Sequence, residues 1–347
     1  MISSTWTRGG MFRGCVPILT ACLSLSCSET ERSRERGNAA AEKTGPRVMI
    51  VSFDGLRPDA ISRERMPHLQ ELIDGGSYQA TALCEMPSIT MPNHATMVTG
   101  LTTLNHGVLF NFHEEGRIRS RTIFDEACAA NVASGFFATK KKLEYLCAGT
   151  DAKVREIEPR LSDLADSVSK AIRDHDLHLL FVHFGEPDGA GHAHGWMTEE
   201  YLDAASASDA SFGRILDALV EEGVRDQTVI IVTADHGGHD KVHGFDIPED
   251  RLIPFVVNGP GIAVGRKLCG QVRQMDVAAT ALHLLGLPRE FARDGRVVNE
   301  AFADAPAIPC DEPAIAFSAC GAIPVLFYAP LIVAFMRRAL TFPRPKR

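Results

Sequence analysis

An α/β fold, with a mostly parallel central sheet and helices on both faces, is what this chain of 347 residues predicts. Three observations carry that expectation. Several short runs are continuously apolar and β-branched, such as Val-Ile-Ile-Val at 229–232, the pattern of a strand buried on both faces. These runs alternate with longer amphipathic stretches, the order that builds a covered parallel sheet. Three of the runs also stop in Asp, His and Gly residues. Open α/β sheets gather their ligands in that place, just beyond the carboxyl ends of the strands.

The elements follow in order. Residues 47–53 read as a buried strand with Asp54-Gly55 at its end. Pro67 opens a helix with Leu69, Leu72 and Ile73 on one face, closed by Gly75 and Gly76. A strand over 78–83 is followed by a turn and a short helix within 87–100, with Pro92 as its first residue. Then come a helix over 122–131, a strand over 132–138, an amphipathic helix over 161–173 and a strand over 177–183. The long helix 201–222 leads into the strand 228–233, and another apolar strand, 252–257, stops at Asn258-Gly-Pro-Gly. A helix over 277–285, with Gly286 placed to end it, closes a single catalytic domain over 46–305.

Composition sets limits. The chain is 45% hydrophobic and 23% charged, ordinary globular values that allow a large core. A formal net charge of −8 argues against a nucleic-acid scaffold, but it leaves room for an anionic substrate if divalent metals reverse the local field. The nine cysteines show no metal-ligand spacing, so any metals must be held by Asp and His.

The two ends read differently from the middle. Arg8 and Arg13 precede an apolar run, the layout of an export signal over 1–27, and Leu19-Thr20-Ala21-Cys22 resembles a bacterial lipobox. Residues 28–45 read as a flexible tether. Residues 314–336 carry no charge, roughly the 20 residues that span a bilayer as a helix. The basic tail 337–347 would then stay in the cytoplasm. A membrane-anchored domain on the periplasmic or extracellular face is the expectation. That compartment permits disulfides among Cys84, Cys128, Cys147, Cys269 and Cys310; five cannot all pair, and their pairing stays open.

The strand ends carry the chemistry. Asp54 follows the first strand; Asp188 and His192, separated by a tight glycine turn, follow the strand 177–183; Asp235 and His236 follow the strand 228–233, with His243 beyond. These six divide into two groups of three. Zinc accepts mixed nitrogen and oxygen ligands, and a catalytic zinc keeps one position open. Two ions about 4 Å apart can clamp the attacking and leaving oxygens of a phosphoryl displacement. Thr90, just before Pro92, places a hydroxyl at a helix start, where an N-cap role and a nucleophilic role coincide.

The ordered set Val51-Ser-Phe-Asp-Gly-Leu-Arg-Pro-Asp59, Thr90-Met-Pro-Asn-His-Ala-Thr-Met-Val-Thr-Gly100, Asn105-His-Gly107 with Asn111, Glu186-Pro-Asp-Gly-Ala-Gly-His192, Ala234-Asp-His-Gly237 and His243-Gly resembles the alkaline phosphatase superfamily, in its type I phosphodiesterase/nucleotide pyrophosphatase branch. The resemblance implies an alkaline-phosphatase-like fold and hydrolysis of small phosphate esters, diester or pyrophosphate bonds being favoured. It implies Thr90 as nucleophile. Asp54, Asp235 and His236, with the Thr90 oxygen, would hold one zinc, and Asp188, His192 and His243 the other, with other divalent metals as alternatives. Asn111 would donate to a phosphoryl oxygen, while His94, His106, His194 and His239 would be structural. Lys140 and Lys142, in Lys140-Lys-Lys142-Leu143, are similar to the paired substrate-end lysines of phosphonoacetate hydrolases. They open a second reading, a phosphomonoesterase or phosphonate hydrolase. A membrane-tethered head-group transferase and a catalytically dead binding module are rivals from other classes. The dead module is disfavoured because every ligand position is filled.

Overall fold

Seven consecutive buried residues, Arg47–Phe53, form β1, and the rest of the sheet is built outward from it. The computed structural model describes residues 45–292 and 294–310. The expected export signal, nearly all of the tether, the apolar segment 314–336 and the basic tail lie outside the described residues. Among the described residues no helix is long and apolar enough to cross a membrane.

The other strands are β2 (Ser77–Leu83), β3 (Ser134–Ala138), β4 (Val154–Ile157), β5 (Leu179–Phe184), β6 (Thr228–Thr233), β7 (Leu252–Asn258) and β8 (Arg266–Lys267). They form one sheet in the order β4-β3-β5-β1-β6-β7-β2-β8. β3, β5, β1 and β6 run parallel side by side, with Val51 level with Val182 on one neighbour and Val232 on the other. Their carboxyl ends therefore meet along one edge, and the residues just after each strand are brought together without any long excursion.

The helices are α1 (Pro67–Asp74), α2 (Thr90–Thr99), α3 (Ile123–Ala129), α4 (Leu161–Asp174), α5 (Glu186–His194), α6 (Glu199–Glu221) and α7 (Asp276–Leu284). Thr122 caps α3 in a reciprocal box with Asp125, which fixes a start that the apolar pattern alone leaves loose. Asp209 of α6 accepts from the backbone N–H of His68 and Leu69, satisfying two donors at the start of α1. Beneath the strand ends, Phe53 of β1 stacks on Phe184 of β5 with ring centroids 4.9 Å apart, and Phe212 of α6 meets both edge-on. This aromatic floor ties the two strands and α6 into one rigid support.

The structure departs from the sequence expectations at two places that bear on function. First, the segment 186–194 is a helix and not a tight turn between Asp188 and His192. Its two glycines each cost about 1 kcal/mol in a helix, but Pro187 and the acidic first turn favour a helix start. Gly191 is needed there: a Cβ would lie 2.6 Å from the Trp196 ring. Second, Thr90 is the first helical residue of α2 and not its N-cap, which is the extended Ile89. The side chain that takes up the free Met91 N–H is Asn111, through Oδ1 at 3.1 Å. The sheet is mostly parallel as expected, with β7 antiparallel to both β6 and β2, because the chain leaves β6 at the functional edge and returns along its flank as β7.

The open question of cysteine pairing also has an answer. Cys269 and Cys310 form a disulfide, with Cα atoms 4.9 Å apart, and Cys84, Cys128 and Cys147 are free.

Candidate active site

Gly55 allows the first two strand ends to meet. Its φ of +71° suits glycine, and a Cβ there would lie 3.0 Å from Asp188 Cα, so α5 packs directly on the turn after β1. The Gly55 N–H donates to Asp235 Oδ1 at 3.0 Å, and the His236 N–H donates to the same oxygen at 3.1 Å. Asp54, Asp235 and His236 are all fully buried. Asp188 and His192 lie one helical turn apart on α5, His192 Nε2 being 3.3 Å from Asp188 Oδ1.

The loop after β6 brings in the sixth residue. His243 Nε2 lies 3.2 Å from His192 Nε2 and 3.6 Å from Asp188 Oδ1, and the His243 ring stacks on His236 with centroids 3.7 Å apart. His239 turns away, donating from Nδ1 to the buried Asp250 at 2.7 Å. Asp250 Oδ2 also accepts from the Phe245 N–H, so it holds the loop on both sides of His243.

What these groups leave unpaired decides what they fit. His192, His236 and His243 each donate from Nδ1 to a backbone carbonyl, of Lys241, Gly237 and Ser88 respectively. Each Nε2 then presents a lone pair, the arrangement found in metal-ligating imidazoles. Two such lone pairs facing each other across 3.2 Å repel unless a cation lies between or beside them. Asp54 Oδ1, Asp188 Oδ1, Asp235 Oδ2 and His236 Nε2 are buried without any hydrogen-bond partner. An unpaired buried carboxylate oxygen is costly, and here four unpaired atoms converge. The donor set therefore fits divalent cations, with oxygen and imidazole ligands suited to zinc.

The grouping differs in one respect from two separate trios. Ligand atoms of Asp188, His192 and His243 lie within 4.8 Å of one another, but so do those of Asp54, Asp188 and His236. Asp188 thus lies at the junction of both clusters. Asp235 stays with the second, its Oδ2 being 3.3 Å from His236 Nε2.

The electrostatics are those of crowded like charges. Burial, then the neighbouring Asp54 charge, raises the Asp235 carboxyl to about 7. Burial works against ionised Asp54 too, but Lys140 and hydrogen-bonded His183 outweigh it and hold its pKa well below the usual range. Burial, then the neighbouring His236, pushes the His243 imidazole down to about 2, so it stays neutral and able to bind a metal.

Among the remaining sequence candidates, Asn111 Oδ1 accepts from both Met91 N and Lys142 Nζ, the latter at 2.9 Å. Lys140 Nζ donates to Asp54 Oδ2 at 2.8 Å and to Asp188 Oδ2. Sequence reasoning passed over His183, Ser52 and Asp250. His183 donates from Nε2 to Asp54 Oδ2 at 2.9 Å. Ser52 donates to His94 Nε2 at 2.9 Å, while His94 Nδ1 donates to the Thr90 carbonyl and lies 3.4 Å from Asp235 Oδ2. His94 thereby links the start of α2 to the end of β6. The available signal for His183 was a single imidazole in the otherwise apolar run of β5.

The profile of the type I phosphodiesterase/nucleotide pyrophosphatase family matches residues 48–254, more than half of the chain. The chain belongs to that family. Within the alkaline phosphatase superfamily its similarity to individual proteins is distant. Ectonucleotide pyrophosphatase/phosphodiesterase family member 7 of Rattus norvegicus is 25% identical over 217 residues, 55% of this chain and 49% of its own. Bis(5'-adenosyl)-triphosphatase enpp4 of Xenopus laevis is 25% identical over 226 residues, 58% of this chain and 49% of its own. The chain thus spans about half the length of these curated relatives. Among solved structures, murine ectonucleotide pyrophosphatase/phosphodiesterase 5, an inactive form in complex with AMP, superposes with a TM-score of 0.61 at 17% identity, covering 70% of this chain and 96% of that one. The phosphonate monoester hydrolase SpPMH from Silicibacter pomeroyi gives 0.59 at 17% identity over 75% and 77%. At these identities the two structures establish the alkaline-phosphatase-like fold alone.

The glycine near the centre of α5 gives a direct test of how the segment carrying Asp188 and His192 is built. Gly191→Ala should push Trp196 off the helix and destabilise the protein by about 1–3 kcal/mol, the usual cost of forcing extra volume into a packed site. Denaturant midpoints of the two proteins measure it. An unchanged midpoint would show that α5 does not depend on that close approach.

Proposed function

We propose that this chain is a metal-dependent hydrolase of small phosphate esters, with phosphodiester or pyrophosphate bonds as the favoured class. The observation that carries the proposal is the set of unpaired atoms at the strand ends: Asp54 Oδ1, Asp188 Oδ1, Asp235 Oδ2 and His236 Nε2, beside the facing Nε2 atoms of His192 and His243. In this reading Asp54, Asp235 and His236, with the Thr90 oxygen, hold one zinc, and Asp188, His192 and His243 hold the other. Such ions supply Lewis acidity, lowering hydroxyl pKa values and offsetting charge on phosphoryl oxygens.

The chain's own residues do the rest. Thr90 Oγ1 attacks phosphorus; the new O–P bond forms as the bond to the leaving oxygen breaks, the Thr90 proton ends on that leaving oxygen, and a phosphothreonine results. Water attacks the same phosphorus from the side the leaving group vacated, the bond between phosphorus and Thr90 Oγ1 breaks, and a proton from that water returns to Thr90. Asn111 accepts two hydrogen bonds at Oδ1, which leaves its Nδ2 protons to donate to a phosphoryl oxygen. The start of α2 adds its dipole at the same point. His94 holds the first turn of α2 against Asp235, so Thr90 is positioned from behind. The Cys269–Cys310 disulfide supports export to an oxidising compartment.

A second reading, a monoesterase or phosphonate hydrolase, draws support from Lys142, whose ammonium lies on Asn111 and would favour a more highly charged substrate. A panel of monoester, diester, pyrophosphate and phosphonate substrates, tested on the full chain with zinc, separates the two. The proposal expects the diester or pyrophosphate to give the highest kcat/KM, with water as the acceptor. A monoester or phosphonate in first place would favour the second reading. Transfer to an acceptor alcohol without hydrolysis would favour a transferase.

A further inference from the structure

Lys140 is the one lysine or arginine that ion-pairs with the carboxylate cluster among the described residues, and its position is unusual. β3 ends at Ala138 beside β5, so the chain delivers Lys140 to the functional edge from the flank. Its arm runs past Gly185, where a Cβ would lie 2.4 Å from Thr139 Oγ1 and 3.3 Å from Lys140 Cε. The bare backbone at 185 is therefore what leaves room for the arm to reach inward. The ammonium then bonds to Oδ2 of Asp54 and Oδ2 of Asp188. The Oδ1 atom of each carboxylate is left unpaired. One cation thus fixes both carboxylates by their inner oxygens and turns the free oxygens toward the imidazole nitrogens of His236, His192 and His243.

We propose that Lys140 is a positioning residue, an internal counter-cation that holds Asp54 and Asp188 ready for the metals, and is not a contact for the charged end of the substrate. The inference rests on the two-metal reading of the site. A lysine that reached for substrate would have to give up its bonds to Asp54 Oδ2 and Asp188 Oδ2, of which only the Asp54 oxygen keeps another hydrogen bond, from His183. A lysine that stays performs two tasks: it offsets part of the charge of Asp54, Asp188 and Asp235 before metals arrive, and it sets their orientation. As a like charge beside the ions, it also weakens their binding.

The test compares wild type, Lys140→Met and Lys140→Arg as full chains, metal-free and zinc-loaded. Melting temperature and zinc affinity are measured, the latter by competition with a chromophoric chelator. Lys140→Met should melt well below wild type without zinc and recover most of that loss with zinc. Its zinc affinity should rise by about tenfold, since a cation close to the ions has been removed. Lys140→Arg keeps the charge and should keep wild-type zinc affinity. If Lys140→Met does not fold metal-free, chelator competition starting from the zinc-loaded protein still reads the affinity. An unchanged metal-free melting temperature with only a raised KM would make Lys140 a substrate contact and overturn the proposal. So would an equal loss of stability with and without zinc at unchanged zinc affinity, which is plain packing. Failure of the two-metal reading itself is separable, because wild type alone would then show no stabilisation by zinc.

Discussion

Thr90→Ala should lower kcat by about four orders of magnitude or more while leaving the protein folded. Losing a nucleophile removes the covalent route altogether, and what survives is the residual rate from binding and charge stabilisation. The fold should barely notice. Thr90 lies at the first position of α2 and is not its N-cap, and the donor at that end is already satisfied by Asn111. A change of about 1 kcal/mol or less is expected in stability. Steady-state hydrolysis and a melting curve on the same preparation measure both quantities. Near-normal turnover in a folded variant would remove Thr90 from the mechanism.

The second large effect separates two histidines four residues apart. His243→Ala should lower zinc content from two ions per chain toward one and stop turnover, whereas His239→Ala should keep both ions. The reason is geometric. His243 Nε2 faces His192 and Asp188, while His239 is engaged with Asp250 on the far side of the loop. His239→Ala still has a cost, because Asp250 loses one of the partners that brace the loop around His243. A moderate rise in KM or fall in stability fits that bracing role. Elemental analysis of each purified variant counts the ions. Retention of two zincs in His243→Ala with one lost in His239→Ala would reverse the assignment.

How far the sequence could be read depended on the range of the interactions. β1, β5 and β6 were legible because strands buried on both faces need continuous apolar runs, and their boundaries in the structure fall within two residues of those expected. The six Asp and His residues were legible because parallel neighbours end on one edge, so polar residues after such strands must meet. α5 was not, since Gly189 and Gly191 read as a turn locally, and it is packing against the Trp196 ring just beyond the helix that explains the glycine at 191. The supporting residues were hidden because their partners are remote in sequence. His183 looks like one more core side chain of β5, and its bond to Asp54 spans 129 residues. Lys140 and Lys142 sit in one basic stretch, yet one faces buried carboxylates and the other Asn111, partners that lie 86, 48 and 31 residues away along the chain. The antiparallel placement of β7 likewise follows from the direction in which the site loop leaves β6, which no local pattern records.

The central claim, a covalent intermediate on Thr90, is tested most directly by trapping it. Full-length protein loaded with zinc would be mixed with a phosphodiester substrate, quenched in acid within a turnover, digested and analysed by mass spectrometry. The account expects the peptide containing Thr90 to carry the phosphoryl fragment of the substrate in the quenched wild type, and to carry nothing in Thr90→Ala. An unmodified Thr90 peptide during active turnover, or an adduct on a different residue, would contradict it.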